Sequence, residues 1–247
     1  MGSLALGTEG VVFSQIRSRL GRRTPPPDDP DAFPAVGYAS GLKARIAALP
    51  AWQQAAFAAS CAERLYPAYA AFRSVSGTDD GGLVRRALDL AWEGAATGSI
   101  SEEDPGALVE RCVALIPDQE ADFTIPDHAD DGIAAAAYAL EAAAGLSDEA
   151  AGWAAMRGTD ALDAFLINSG AVPWTGATRV ERAQMDQRVW RHDLVQAEVA
   201  RREADLARLA SSVERETSVR ELRGRAAGDS LLPLDQLDHD GAEVAGA

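Results

Sequence analysis

Cysteine and histidine are scarce in this chain, which has two cysteines, Cys61 and Cys112, and three histidines among its 247 residues. Two cysteines cannot form the multiple-disulfide framework of a small secreted domain, and they do not supply a cysteine metal site. Both lie within predicted helices among apolar neighbours, where a free cysteine is typically a small buried side chain. None of the histidines follows a glutamate by three residues, so the Glu-x-x-His pattern of di-iron bundles is absent. We therefore expect no metal and no cofactor.

Positive charge is also in deficit. The chain has 23 lysines and arginines against 38 aspartates and glutamates, a net charge of −15. Nucleic acids and anionic membrane surfaces both attract basic proteins, so neither is expected as a partner. No run approaches the roughly 18 continuous apolar residues of a membrane helix. The arginines near the N-terminus follow its apolar part, unlike those of a secretory leader, and the expected location is the cytoplasm.

Aromatic residues make up only 6% of the chain, and alanine supplies much of its 47% hydrophobic content. Because alanine is the best helix former and β-branched residues are few, this composition favours closely packed helices over sheets. We predict an all-α protein, with one helical bundle over residues 38–215. Residues 1–37 are expected to be an N-terminal extension with a Pro/Asp-rich linker, and residues 216–247 a helix end with a disordered acidic tail.

Apolar periodicity and helix start and stop signals predict six or seven helices in the bundle. Six are expected at about residues 40–48, 50–72, 83–95, 105–116, 131–144 and 147–168, and a short further helix is expected over 11–20. The final helix of the bundle is expected to be long, from Arg179 past Leu209 and as far as Arg223. It carries a narrow apolar stripe of Ala183, Trp190, Leu194, Ala197 and Ala204. Such a stripe is typical of bundle packing or of a helix-to-helix dimer contact.

The helix predicted over residues 50–72 contains an unusual charged pair, Glu63 and Arg64, in otherwise apolar surroundings. Pro67 follows, and because proline has no N–H, the carbonyl of Glu63 loses its helical partner. Buried charge is costly unless it is paired. Two hypotheses remain open: a small-molecule or ion site at a kink, or a structural ion-pair network that ties the second helix to the third.

Two acidic residues on the third helix, Asp89 and Glu93, are four residues apart and so share one line of its surface. Either they belong to a solvated polar stripe, or Asp89 or Glu93 pairs with Arg64 between the second and third helices. In the acidic loop before the fifth helix, His128 could bind a metal ion or act as a general base, but the acidic residues of such loops more often cap the next helix. No metal site is predicted there.

Several motifs occur in the order seen in a known bacterial family. Trp52 is followed by the run Cys61-Ala-Glu-Arg-Leu-Tyr-Pro-Ala-Tyr69, and then by Leu88-Asp-Leu-Ala-Trp-Glu93. Ile116-Pro-Asp118 and Asp122-Phe123 come next, before an alanine-rich helix. Over about residues 42–213 the chain resembles the family known as domain of unknown function four-one-six. The resemblance implies an all-helical fold and no particular activity.

The sequence favours a non-catalytic protein that binds a partner protein or itself, because the motifs of nucleophilic, metal and phosphate chemistry are absent. The alternative is a small-molecule-binding protein or an enzyme with an interhelical pocket near Glu63, Arg64 and Asp89. The candidate ligand-binding residues are Glu63, Arg64, Tyr66, Asp89 and Glu93.

Overall fold

The computed structural model describes residues 34–77, 79–101, 104–116, 127–174, 178–212 and 214–237. These residues form nine α-helices and one 3-10 turn, with no strand among them. The helices are α1 (Pro34–Ala47), α2 (Ala51–Ser76), α3 (Leu83–Thr97), α4 (Pro105–Val113), α5 (Asp127–Ala144), α6 (Ala150–Asn168), α7 (Arg179–Arg191), α8 (Asp193–Ser211) and α9 (Arg215–Ala226), followed by the turn Leu234–Gln236. The all-α class is confirmed, but the predicted number of six or seven helices is too low.

The centre of the core is the contact between α2 and α5, which also pack against α3 and α6. The run Ala134–Ala137 of α5 is buried. Beside it, Gly132 approaches α2 so closely that a Cβ there would stand 3.1 Å from the Cβ of Tyr69. Small side chains at such a contact let two helix axes come close together. The aromatic-poor sequence therefore forms its core by close helix packing.

Local capping chemistry accounts for several helix ends. α4 begins at Pro105 behind Asp104, whose carboxylate accepts hydrogen bonds from two backbone N–H groups of the first turn. α7 begins with a capping box in which the side chains of Thr178 and Glu181 each accept a backbone hydrogen bond from the other residue. α3 is terminated by Gly98, whose φ of +88° favours glycine.

The predicted long last helix is wrong, because the chain breaks it twice and forms α7, α8 and α9. At the first break His192 adopts an extended backbone conformation, with φ −67° and ψ 139°. Its imidazole Nδ1 accepts a hydrogen bond from the backbone N–H of Leu194, so His192 caps α8. At the second break Ser212 is also extended, with φ −80° and ψ 130°.

The predicted apolar stripe on the last helix is also wrong, since Ala197 and Ala204 are exposed. The buried residues of α8 are Val195, Glu198, Arg202, Asp205, Leu206 and Leu209. Three of these six are charged. Charged residues are normally expected on the solvent face of an amphipathic helix, but on α8 three of them face the core.

The C-terminal part of the chain packs against the bundle. α9 contacts both α2 and α3, and the turn Leu234–Gln236 contacts α2. Leu231 and Leu232 are 3% and 1% exposed. Within the described part of the predicted acidic tail, Leu231 and Leu232 are therefore packed, whereas residues 234–236 are exposed.

Other sequence predictions fall outside the described residues: the Pro/Asp-rich linker, the helix over 11–20 and the last ten residues of the tail. The domain limits at residues 38 and 215 stay a prediction. None of the helices in the described ranges has the length and apolar character needed to cross a membrane.

Candidate functional site

Arg64 lies in the middle of α2 with 2% of its surface exposed. Its Nε and Nη2 donate hydrogen bonds to the two carboxylate oxygens of Glu198, at 3.1 and 2.9 Å. Its Nη1 donates to Ser60 Oγ at 2.6 Å and to Asp205 Oδ2 at 2.9 Å. Burial alone would lower the pKa of Arg64, but the neighbouring carboxylates outweigh it and raise the pKa above its ordinary value. All three guanidinium nitrogens are thus engaged within the protein.

Glu198 joins two buried arginines. Besides its bonds to Arg64, it accepts a hydrogen bond from Arg202 Nε at 2.8 Å. Arg202 is 2% exposed, and its Nη1 donates to Thr159 Oγ1 of α6 at 2.9 Å. Burial alone would raise the pKa of Glu198, but Arg64 and Arg202 hold it below its ordinary value. Glu198 is therefore the ionised centre of this group.

Asp205 completes the group. It accepts a hydrogen bond from Ser60 Oγ at 2.6 Å and, at the edge, one from Arg225 Nη2 of α9 at 3.2 Å. We call Ser60, Arg64, Glu198, Arg202 and Asp205 the charge cluster. It contains two guanidinium groups and two carboxylates, so its buried charges balance. It connects α8 to α2 and reaches both α6 and α9.

Glu63 makes its contacts with α3, away from the charge cluster. Its carboxylate accepts hydrogen bonds from Arg85 Nη1 at 2.6 Å and Nη2 at 3.0 Å, and from Trp92 Nε1 at 2.7 Å. Arg85 Nη2 also donates to Asp89 Oδ1 at 2.9 Å, and its guanidinium lies 4.9 Å from the centre of the Tyr66 ring. Three candidate residues, Glu63, Tyr66 and Asp89, therefore meet around Arg85.

The hypothesis that Asp89 or Glu93 meets Arg64 is wrong. Asp89 instead pairs with Arg223 of α9 as well as with its own helix neighbour. Glu93 Oε1 accepts a hydrogen bond from Ser101 Oγ at 2.6 Å. An ion pair does connect the second helix to the third, but it involves Glu63, whereas Arg64 pairs with α8.

Pro67 lies inside α2, where proline removes the donor for the carbonyl of Glu63, and the kink at this turn stays a prediction. At the next residue, the carbonyl of Arg64 accepts a hydrogen bond from the backbone N–H of Leu231 at 2.8 Å. The C-terminal segment thus contacts α2 at the proline-containing turn.

A cleft of about 680 Å³ lies between α3 and α9. Asp89 and Glu93 line it from α3, Arg220 and Arg223 line it from α9, and Trp92 contributes an apolar wall. Of the five candidate residues, only Asp89 and Glu93 are among the residues that line this cleft.

The cysteines are buried, as the sequence predicts. Burial raises the pKa of the Cys61 thiol to about 11 and that of Cys112 to about 12. Because the thiolate is the reactive form, both side chains are unreactive at neutral pH. His128 lies in the first turn of α5, and within the described ranges no three His, Cys, Asp or Glu side chains are grouped to hold a metal.

Glu198, Arg202 and Asp205 are buried members of the charge cluster that were not among the predicted site residues. Their spacing of four and three residues does carry a signal, because it places them on one helical face together with Val195 and Leu209. When charged residues occupy the core-facing positions of one helix, they predict oppositely charged buried partners on a neighbouring helix. Here the partner is Arg64, 134 residues away from Glu198.

Comparison with known proteins gives a fold and a family. A solved crystal structure of a DUF416 family protein from Shewanella baltica OS155 has a similar fold, with a TM-score of 0.63 and 18% identity. That match covers 75% of this chain and 93% of the other. Shorter matches occur to uncharacterized protein YjaG of Escherichia coli, 47% identical over 49 residues, and to its Salmonella typhimurium counterpart, 45% identical over 49 residues.

Each YjaG match covers 20% of this chain and 25% of the relative. The family resemblance found in the sequence is confirmed by a much longer match. The sequence model described as "Protein of unknown function (DUF416)" matches residues 41–230. The chain therefore belongs to the DUF416 family of proteins of unknown function.

Proposed function

We propose that the chain is a non-catalytic cytoplasmic helical module that binds protein, and that its first partner is a second copy of itself. The observation that carries this proposal is the exposure of Trp174, which precedes α7 and is 65% exposed. Val180, in the first turn of α7, is 66% exposed. Tryptophan is enriched among the residues that dominate protein–protein binding energy, and exposed large apolar groups often mark such surfaces.

The buried charged groups are paired within the protein, which supports a structural role for them. Arg64 uses all three guanidinium nitrogens inside the protein, and Glu63 accepts bonds at both carboxylate oxygens. Buried ion pairs satisfied in this way contribute to the choice of one packing arrangement. The net charge of −15 also favours a protein partner over a nucleic acid.

Sedimentation velocity over a range of concentrations tests the proposal with one pair of variants. Trp174→Ser is expected to weaken self-association at least about tenfold, because it removes the largest exposed apolar side chain of the described residues. Val75→Ser is the matched control, since Val75 on α2 is also 65% exposed. A wild-type chain that stays monomeric, or two variants that behave alike, would remove the basis of the proposal.

A second candidate function is the binding of a small molecule in the cleft between α3 and α9. The observation that favours it is that the cleft contains both Asp89 and Glu93 and has a volume of about 680 Å³, within the range typical of ligand sites. Native mass spectrometry would detect a molecule that co-purifies with the chain. Gly224→Leu projects a side chain at the cleft from a residue with open space around its Cβ position, and Gly41→Leu on α1 is the control. Loss of the bound mass in the first variant alone is expected.

A further inference from the structure

The C-terminal residues 228–237, here called the strap, close over the proline-containing turn of α2. The strap contributes two almost fully buried side chains, Leu231 and Leu232. Its backbone is tied to the bundle where the N–H of Leu231 donates to the carbonyl of Arg64 at 2.8 Å. The strap therefore occupies a defined binding position.

The site that receives Leu231 is shaped by Gly158 of α6. A Cβ at residue 158 would stand 3.4 Å from Leu231 Cδ2 and 2.7 Å from Arg202 Nη2. The missing side chain makes room for both groups. We call this site, formed by the carbonyl of Arg64, by Gly158 and by Arg202, the leucine seat.

The strap is an incomplete match for the leucine seat. Arg202 Nη2 is buried and has no hydrogen-bond partner among the described residues, so the strap leaves one donor unsatisfied. The strap's ion pair to the body of the protein, from Arg201 to Asp229, is long at 3.7 Å and partly exposed. Leu231, Leu232 and the partly buried Leu237 must also offset the ordering of about ten residues, so local release of the strap is expected at a free energy below that of global unfolding.

We propose that the leucine seat is a recognition site for a segment of a partner protein with two adjacent leucines before a proline, and that the strap is its competitor within the chain. The strap's own run of Leu231, Leu232 and Pro233 indicates this chemistry. A partner that also offers an oxygen to Arg202 Nη2 gains a hydrogen bond that the strap lacks.

A second copy of the chain is a poorer occupant than a free partner segment. The strap of each copy is tethered beside its own seat, at an effective concentration in the range of about 1 mM or more. Exchange between copies would create no new contact at the seat. A partner segment is not held back in this way, and Trp174 is not among the residues that form the seat.

The test measures the binding of a fluorescent peptide with the sequence of residues 228–237 to the full-length protein. The leucine seat is occupied in the wild type, so the apparent affinity is lowered in proportion to the fraction of open molecules. In Leu231→Ala/Leu232→Ala the strap is weakened, and the peptide is expected to bind at least about tenfold more tightly. A control peptide with serine in place of both leucines should bind neither protein. Trp174→Ser should leave peptide binding unchanged, which separates this test from that of self-association.

Absence of peptide binding to the double variant, or equal binding of the control peptide, would overturn the proposal. If the double variant does not fold, amide hydrogen exchange in the wild type decides. The N–H of Leu231 should exchange faster than the core amides of α5, and excess peptide should accelerate it further. Exchange only by global unfolding would contradict the proposal. If the wild type is a dimer and the peptide dissociates it, the seat binds the strap of a second copy, and the assignment to a partner protein is refuted.

Discussion

Glu198→Gln is the most informative single change, because it removes the charge at the centre of the cluster while keeping the size of the side chain. Glu198 accepts three charge-assisted hydrogen bonds, two from Arg64 and one from Arg202, at 2.8 to 3.1 Å. A glutamine would direct its NH₂ group at one of the guanidiniums and leave excess positive charge buried. Removing one member of a buried ion pair costs about 3–5 kcal/mol.

The same helix supplies a control. Glu203 accepts two hydrogen bonds from Arg45 at 2.8 and 2.7 Å, but the side chains of this pair are 39% and 51% exposed. Exposed ion pairs contribute about 0–1 kcal/mol, so Glu203→Gln should have little effect. The two variants change the same residue type on the same helix, and they differ in burial.

Urea unfolding followed by far-UV circular dichroism gives the free energy of unfolding of each variant. A loss of about 3–5 kcal/mol is a large part of the roughly 5–15 kcal/mol that stabilises a typical domain. The slope of the free energy with urea should be unchanged if both variants keep the fold. If Glu198→Gln costs no more than Glu203→Gln, the structural reasoning about the cluster is refuted.

The pH dependence of this difference has a defined sign. The pKa of Glu198 in the folded chain is below its ordinary value of 4.5. Its stabilising contribution is therefore complete above that value and is lost as the pH falls through the folded-state pKa. The stability difference between wild type and Glu198→Gln should accordingly shrink in acid.

Three further predictions concern other buried features. Gly158→Ala should destabilise the fold by about 1–3 kcal/mol, because its Cβ would stand 2.7 Å from Arg202 Nη2. Gly224→Ala is the control, and it should be neutral or stabilising because there is open space around its Cβ position. Thermal unfolding measures the stability of both variants. Burial raises the pKa of Glu141 to about 7, so the folded chain holds this proton above the ordinary value of 4.5, and stability falls as the pH rises between those values. Glu141→Gln should therefore become more stable than wild type by about 1–3 kcal/mol near pH 8, as unfolding measured against pH will reveal. Arg215→Ala removes two hydrogen bonds to carbonyls at the end of α3, of 2.6 and 2.8 Å, and should speed amide exchange in that last turn while costing about 1–3 kcal/mol.

Helix positions in the first two thirds of the chain could be predicted because their signals are local. Pro105, Gly98 and Gly145 mark helix ends through their own backbone preferences, and each stands at or beside a helix end in the structure. The breaks at His192 and Ser212 were missed because neither residue is a strong breaker. At His192, the break depends on a cap made by the imidazole itself.

The candidate site was predictable only in part. The isolation of Glu63 and Arg64 in an apolar helix correctly indicated buried, paired charge. The partners could not be named, because those of Arg64 lie on α8, more than 130 residues away in sequence. The sequence placed α8's charges in solvent, and only the packing of α8 on α2 brings Glu198 and Asp205 to Arg64.

We propose that two copies of the chain associate through the surface around Trp174, which meets the same surface of the second copy. A spin label at Ser169→Cys tests it directly, since Ser169 is exposed and lies five residues before Trp174, while the natural cysteines are buried. In a two-fold symmetric contact a residue near the axis approaches its own copy. Pulsed dipolar spectroscopy should therefore detect an intermolecular distance of roughly 20–40 Å, within the size of a small domain, for Ser169→Cys and no distance in that range for Val75→Cys. Equal signals from both positions, or none from Ser169→Cys at concentrations where the chain associates, would contradict the account.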